Sequence, residues 1–396
     1  MGAGCGNRAM RVSWVHLRLL WMVVLAHSLS ACVGLPEQPA ISQEDVAWVS
    51  GGGGLSRAPE DGAIEDASTL MRVTPEMRRF ANEATAGEVS VQGKVVALAE
   101  ALGDADKRHV RYDAEATLTA EQAFLQRRAN CLSYTLLFVA LAREVGIPAE
   151  FNEVDVPPIW DLGDDRTSLL YRHINARIDL FHGYRVVDVS GDEYDPAYDQ
   201  RVISDTAALA QFYNNRAVEL RLKQRQAEAL RYALRALELS PDTAYLWTNL
   251  ASLYLLDGNV RAARIAVTQS LQLDASSMMS YDTASQVYEQ LGEPRLARYF
   301  HQRAQYFLEQ NPYHHYQLAL AALRADDKEV AYNETRRAIG MYSKDARFFF
   351  LMAVVLNQMG KEVLASQSMQ VAIDLTSDPA QQERYRSKFA RLTKQG

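Results

Sequence analysis

A period of 34 residues runs through the C-terminal half of this 396-residue chain. Self-similarity at that spacing means stacked supersecondary units, which leaves few architectures open. Counted from Ala210, the register needs no insertion through residue 379. Its twentieth position reads Ala229, Ala263, Ala297, Ala331 and Ala365, and its twenty-seventh reads Ala236, Ser270, Ala304, Ala338 and Ala372. The eighth holds Ala217, Ala251, Ser285, Ala319 and Ala353, and the fourth holds Tyr213, Trp247, Tyr281, His315 and Phe349. Small residues on facing turns let two antiparallel helices approach closely, while the aromatic fills the space between neighbouring pairs. Gly258, Gly292 and Gly360 fall at the turn inside a unit, and Gln224 and Asp326 stand there in the other two.

The pattern resembles the tetratricopeptide repeat, best over Trp247 to Tyr254. That resemblance implies five repeats over residues 206–377 and a concave face that binds a peptide or protein partner. Tyrosines there, with Asn249, Asn333 and Asn357, suit the clamping of extended backbone, whereas the alanines, Trp247, Tyr254 and Tyr288 read as core. Asp378 and Pro379 offer a cap and a first-turn proline for a polar helix over residues 378–396, the solvating end that a solenoid needs. His314 and His315 read as a packing and surface pair, because no cysteine or carboxylate completes a ligand set at metal spacing.

Residues 1–31 carry Arg8, Arg11 and Arg18, no acid, and the apolar stretch Leu19 to Ala26. So short a stretch cannot cross about 30 Å of hydrocarbon as a helix, which predicts a signal peptide and not a retained span. Leu29, Ser30, Ala31 and Cys32 follow, and resemble the lipobox of bacterial lipoproteins. The resemblance implies an acylated Cys32 that holds the protein on a membrane; an ordinary secretory signal with an incidental cysteine is the alternative. Val33 in place of an aspartate favours the periplasmic face of the outer membrane, so the expected location is the bacterial cell envelope. Residues 32–68, with Gly51 to Gly54, read as a flexible tether. The formal charge of −7 becomes −10 once the three arginines leave with the signal, which argues against nucleic-acid binding.

Three cysteines, Cys5, Cys32 and Cys131, are too few for a disulfide scaffold or a four-cysteine zinc site. With Cys5 removed and Cys32 acylated, Cys131 is the one thiol of the mature chain, and an exported unpaired thiol is an oxidation liability that asks for a reason. The apolar run from Leu132 to Ala142, stopped by Gly146 and Pro148, predicts a buried helix starting at Asn130. Cys131 then sits in the first turn, where unpaired N–H groups favour a thiolate over a thiol of pKa about 8.5 and can hold an oxyanion. A small buried hydrophobe is the other reading. His173 opens an alternating strand through Leu180 and lies on its polar face, and Tyr184 to Val189 pairs with it as a hairpin. A two-residue turn at His182 and Gly183 sets Asp188 opposite Arg177 and Asp192 opposite His173. Asp188 reaches His173 only if a bulge or another loop shifts the register.

This order of cysteine at a helix start, trailing Gly-Ile-Pro, histidine on one strand and aspartate on the next resembles the transglutaminase-like superfamily of thiol enzymes over residues 90–205. The resemblance implies an α+β domain, placed at residues 69–205, ahead of the all-α solenoid. It also implies Cys131 as nucleophile, His173 as general base and Asp188 as the orienting acid, with Asp192 as alternate. Gln126 stands where it could donate to an oxyanion, or is simply a surface residue. No cofactor or metal is expected, and oligomeric state is left open. With the repeats and lipobox, the chain resembles proteobacterial transglutaminase-like, tetratricopeptide lipoproteins. The function expected is thioester-mediated acyl transfer, with hydrolysis ahead of crosslinking because water is abundant in the periplasm. The alternative is a non-catalytic envelope scaffold that works through its repeats.

Overall fold

The 34-residue units fold as five antiparallel helix pairs in the computed structural model, which describes residues 40–53, 64–103, 109–154, 172–181, 183–189, 200–376 and 379–393. Ahead of them the chain forms α1 (Gln43–Ser50), α2 (Pro75–Ala84), α3 (Val91–Gly103), β1 (Arg111–Tyr112), α4 (Ala120–Gln126), β2 (Arg128–Ala129) and α5 (Cys131–Glu144). Four strands follow: β3 (Ala149–Val154), β4 (His173–Leu180), β5 (Gly183–Val187) and β6 (Gln200–Ile203). They form one antiparallel sheet in the order β5-β4-β3-β6, and β1 pairs with β2 in a small parallel sheet. The helix before the cysteine, α4, ends at Gln126 because Arg127 turns left-handed, with φ of 54°.

The α+β part is fastened to the first helix of the array, α6 (Asp205–Leu222), at three points. Arg143 near the end of α5 makes a bidentate pair with Asp205, at 2.6 and 2.9 Å. Buried Glu153 on β3 accepts from Gln211 at 2.5 Å and from Arg201 at 2.6 Å. Glu219 accepts from the backbone N–H of Thr117 at 3.0 Å.

The array continues as α7 (Gln226–Leu239), α8 (Ala244–Leu256), α9 (Val260–Leu273), α10 (Met278–Gln290), α11 (Pro294–Glu309), α12 (Pro312–Arg324), α13 (Lys328–Met341), α14 (Ala346–Gln358) and α15 (Glu362–Asp374), closed by α16 (Pro379–Thr393). Alanines at the eighth and twentieth positions, such as Ala251, Ala263 and Ala331, are fully buried. All five turn positions are left-handed, the two lacking glycine included: φ is 61° at Gln224, 78° at Gly258, 73° at Gly292, 58° at Asp326 and 72° at Gly360. The next N–H returns to the carbonyl five residues back in every unit, at 2.9 Å from Arg225, Asn259, Glu293, Asp327 and Lys361. This is the Schellman closure of a helix end. The fourth position repeats a bond in the three middle units. Trp247 Nε1, the Tyr281 hydroxyl and His315 Nε2 each donate to the carbonyl six residues earlier, at 2.7, 3.1 and 3.0 Å. His315 thus replaces an aromatic by doing its polar task, with Glu334 at 2.6 Å from Nδ1.

Two expectations are corrected. Part of the segment expected to be a loose tether, residues 32–68, is packed. Ser42 and Asp45 form a capping box on α1, Val49 is fully buried, and its carbonyl accepts from Tyr254 at 3.1 Å. Arg261 lies over the Trp48 ring at 5.1 Å. Further on, Glu65 accepts from the Tyr232 hydroxyl at 2.5 Å and, through its backbone carbonyl, from Tyr213 at 2.6 Å. One buried valine and the capping box outweigh a glycine-rich composition that carries no helical period. Asn249 is also not open on a concave face: it is buried and donates to Asn214 at 2.7 Å. Cys5, Cys32 and residues 54–63 lie outside the described residues.

The left-handed conformation costs a residue with a Cβ about 1–2 kcal/mol relative to glycine. Gln224→Gly and Asp326→Gly are therefore each expected to raise stability by about 1 kcal/mol in urea unfolding, while Gly292→Ala lowers it by a similar amount.

Candidate active site

Asn130 is the N-cap of α5, and its side-chain oxygen accepts from the Ser133 N–H at 2.9 Å. Such a cap contributes about 1 kcal/mol to the helix start. The other end of the same amide donates to Thr117 at 2.8 Å, while Ser133 donates to the Ala116 carbonyl and accepts from Leu118. The helix start is thus clamped to residues 116–118, which Glu219 ties to the array. Every residue from Leu132 to Ala142 is buried. Cys131, at the first helical position, is a free thiol and only half-buried. With the Ser133 N–H used by the cap and Leu132 fully buried, the N–H of half-buried Cys131 is the first-turn donor left to face a substrate oxygen.

The strand carrying His173 is held to this turn by Thr135, whose hydroxyl lies 2.7 Å from the Cys131 carbonyl and 3.1 Å from that of Ile174. His173 and Asp188 side chains are each 7% exposed, and Nε2 of the imidazole donates to Asp188 Oδ2 at 2.6 Å. A bond this short is in the range of charge-assisted pairs. With Nε2 spent on Asp188, Nδ1 is the ring nitrogen left to face the neighbouring Cys131. Burial works against charge on His173, but its hydrogen bonds to Asp188 and Cys131, and their negative charge, outweigh it and push the imidazole pKa up to about 10. Tyr134, buried beside Asp188, is driven upward by burial and by that carboxylate's charge.

The hairpin register explains why Asp188 is the acid within reach. Leu180 pairs with Gly183 and Ala176 with Val187, so the turn falls one residue earlier than the sequence suggests. Moving the turn by one residue moves the pairing by two, which keeps every side chain on its face and carries Asp188 from beside Arg177 to beside Asn175, next to His173. No bulge is needed. Asp192, the alternate, lies outside the described residues. Gln126 is exposed and accepts from Arg128 at 3.2 Å, which engages it at the surface. His109 is spent on the Gly103 carbonyl at 2.7 Å. A cavity of about 310 Å³ opens on Asp188, Tyr134 and Arg185 but does not touch Cys131 or His173. Asn175, beside Asp188, and Asn152, behind it, are both fully buried and carry no signal in the sequence, because their facing positions on adjacent strands appear only once the sheet is formed.

Residues 78–158 match the family model of the transglutaminase-like superfamily. This stretch is a transglutaminase-like domain. The match contains Cys131 and ends before His173 and Asp188. No relative was found among the curated proteins. Among solved structures the chain is similar to the MamA protein, at 17% identity over 44% of this chain and 93% of that one, with a TM-score of 0.25. It is also similar to YrrB, a TPR protein with an unusual peptide-binding site, at 19% identity over 45% and 92%, with a TM-score of 0.24. A third is TTC0263, a thermophilic TPR protein in Thermus thermophilus, at 18% identity over 46% and 98%, with a TM-score of 0.25. The tetratricopeptide assignment rests on the five helix pairs and their common turn.

The imidazole keeps its proton to about pH 10 in the fold and releases it near about 6.5 when unfolded. Its contribution to stability is therefore complete below about pH 6.5 and is lost as pH rises through about 10. The stability gap between the unaltered protein and His173→Ala, measured by urea unfolding, is expected to shrink steadily over that window. A gap that stays constant contradicts the pairing.

Proposed function

We propose that the transglutaminase-like domain is a cysteine acyl-transfer enzyme that acts on peptide or amide substrates, with Cys131, His173 and Asp188 as nucleophile, general base and orienting acid. The buried imidazole–carboxylate pair, with a half-exposed thiol at a helix start beside it, carries the reading. Sulfur of Cys131 attacks the carbonyl carbon, and the Cys131 N–H at the positive end of the helix receives the charge that develops on oxygen. The C–N bond then breaks as the His173 proton passes to the leaving amine, which leaves a thioester. Water gives up a proton to His173 as it attacks the thioester, and the thiolate departs. An amine in place of water gives transfer. Asp188 holds the ring so that Nδ1 faces sulfur, and balances the charge of the imidazolium.

Export and lipid anchoring belong to the same proposal and are supported by Leu29 to Cys32. Capture of a peptide or protein partner is proposed for the repeats; Asn333, which is exposed, and Asn357, which is half-buried, remain available to it.

Iodoacetamide at pH 7 is expected to label Cys131 of the native protein rapidly. His173→Ala should label at least about tenfold more slowly, and Cys131→Ser should form no acyl-enzyme in an intact-mass assay with a peptide mixture. Labelling that requires unfolding indicates a core cysteine and the scaffold alternative; undiminished turnover by both variants overturns the assignment.

A further inference from the structure

We propose that Asn175 and Asn152 are positioning residues that hold Asp188 against His173, a proposal that rests on the Cys131–His173–Asp188 reading above. Asn175 Nδ2 donates to Asp188 Oδ2 at 3.2 Å, the same oxygen that receives His173 Nε2 at 2.6 Å. Two donors arriving from one strand fix where that oxygen sits, since residues 173 and 175 project from the same face of β4. Asn152, directly opposite Asn175 across β3 and β4, donates to Asn175 Oδ1 at 2.8 Å and to Gln200 Oε1 at 2.9 Å. Gln200 in turn donates towards the Tyr184 hydroxyl at 3.4 Å. The relay thus spans all four strands of the sheet and ends on the acid.

Its polarity is fixed. Asn152 uses both of its N–H bonds, on Asn175 and Gln200, and its own Oδ1 has no partner among the described residues although it is fully buried. An unpaired acceptor is a cost that a hydrophobic pair at 152 and 175 would avoid. What the cost secures is direction: by donating to Oδ1 of Asn175, Asn152 forces that amide to present its N–H, not its oxygen, to the carboxylate. Reversing either amide would set oxygen against oxygen beside Asp188. A carboxylate placed this way holds a neighbouring imidazole in one orientation and one tautomer.

The test follows the His173 ring by NMR titration in the whole chain with ring-labelled histidine, together with Cys131 alkylation from pH 5 to 10. Asn175→Ala removes the second donor. Asn152→Leu keeps size and adds no charge but removes the donor that holds Asn175 Oδ1, so that amide can turn its oxygen towards Asp188. Both variants are expected to lower the proton affinity of His173 about tenfold, one pH unit, and to slow alkylation at pH 6 by a similar factor. Unfolding curves separate this from general damage, and Asn152→Leu, one residue removed from the acid, covers the case in which Asn175→Ala does not fold. Variants that lose stability but keep the unaltered protein's His173 titration overturn the positioning role and leave the triad standing. An ordinary titration near about 6.5 in the unaltered protein overturns the triad itself, and the relay with it.

Discussion

The amide of Asn130 joins the parts of this molecule that chemistry would need together. One end caps the helix that starts with Cys131, and the other holds Thr117, whose own N–H is taken by Glu219 of the array. Helix start, the loop at residues 116–118 and first repeat are therefore one hydrogen-bonded assembly. Thr135 extends it to β4 one residue from His173. Without that cap the first turn of α5 would fray, because its early N–H groups have no partners of their own, and the sulfur would lose its fixed place relative to the imidazole. Catalytic geometry of this kind tolerates only small displacement.

The array shows a different economy, in which backbone geometry outranks side-chain identity. Five turns adopt the same left-handed residue and the same return bond whether glycine, glutamine or aspartate occupies the site. The stacking of each unit on its neighbours over-determines the turn, so two positions carry a local strain that the packing absorbs. His315 follows a similar logic, since in the middle three units the fourth position is a flat ring whose edge donor closes on the carbonyl six residues back, and an imidazole supplies that as well as indole or phenol.

Much of this was legible in the sequence, for identifiable reasons. Small residues in phase mark helix pairs because close approach forbids anything larger, and Cys131 was readable as a helix start because the apolar run has a clear beginning and end. Asp188 was harder. Periodicity fixed its face, but the residue it stands beside depends on where the hairpin turns, and a turn moved by one residue leaves the alternation unchanged. Asn152 and Asn175 escaped notice because pairing across strands is a tertiary fact. The docking of α1 was hidden for a related reason: a single buried side chain, Val49, makes no periodic signal. Asn249 shows the converse, a polar residue that looked available and is consumed by Asn214.

The docked N-terminal helix changes how far the protein can range from a membrane. A free linker from Cys32 to residue 68 would let the folded part wander over about 120 Å. Cys32 lies ten residues before the packed helix that Ser42 opens, so whatever path the chain takes it stays within about 35 Å of that helix. Lipid at Cys32, proposed above, would therefore keep α1, which packs on α7 and α9, within that length of the headgroups. An anchor there would make the fold a fixture at a surface, not a float on a long line.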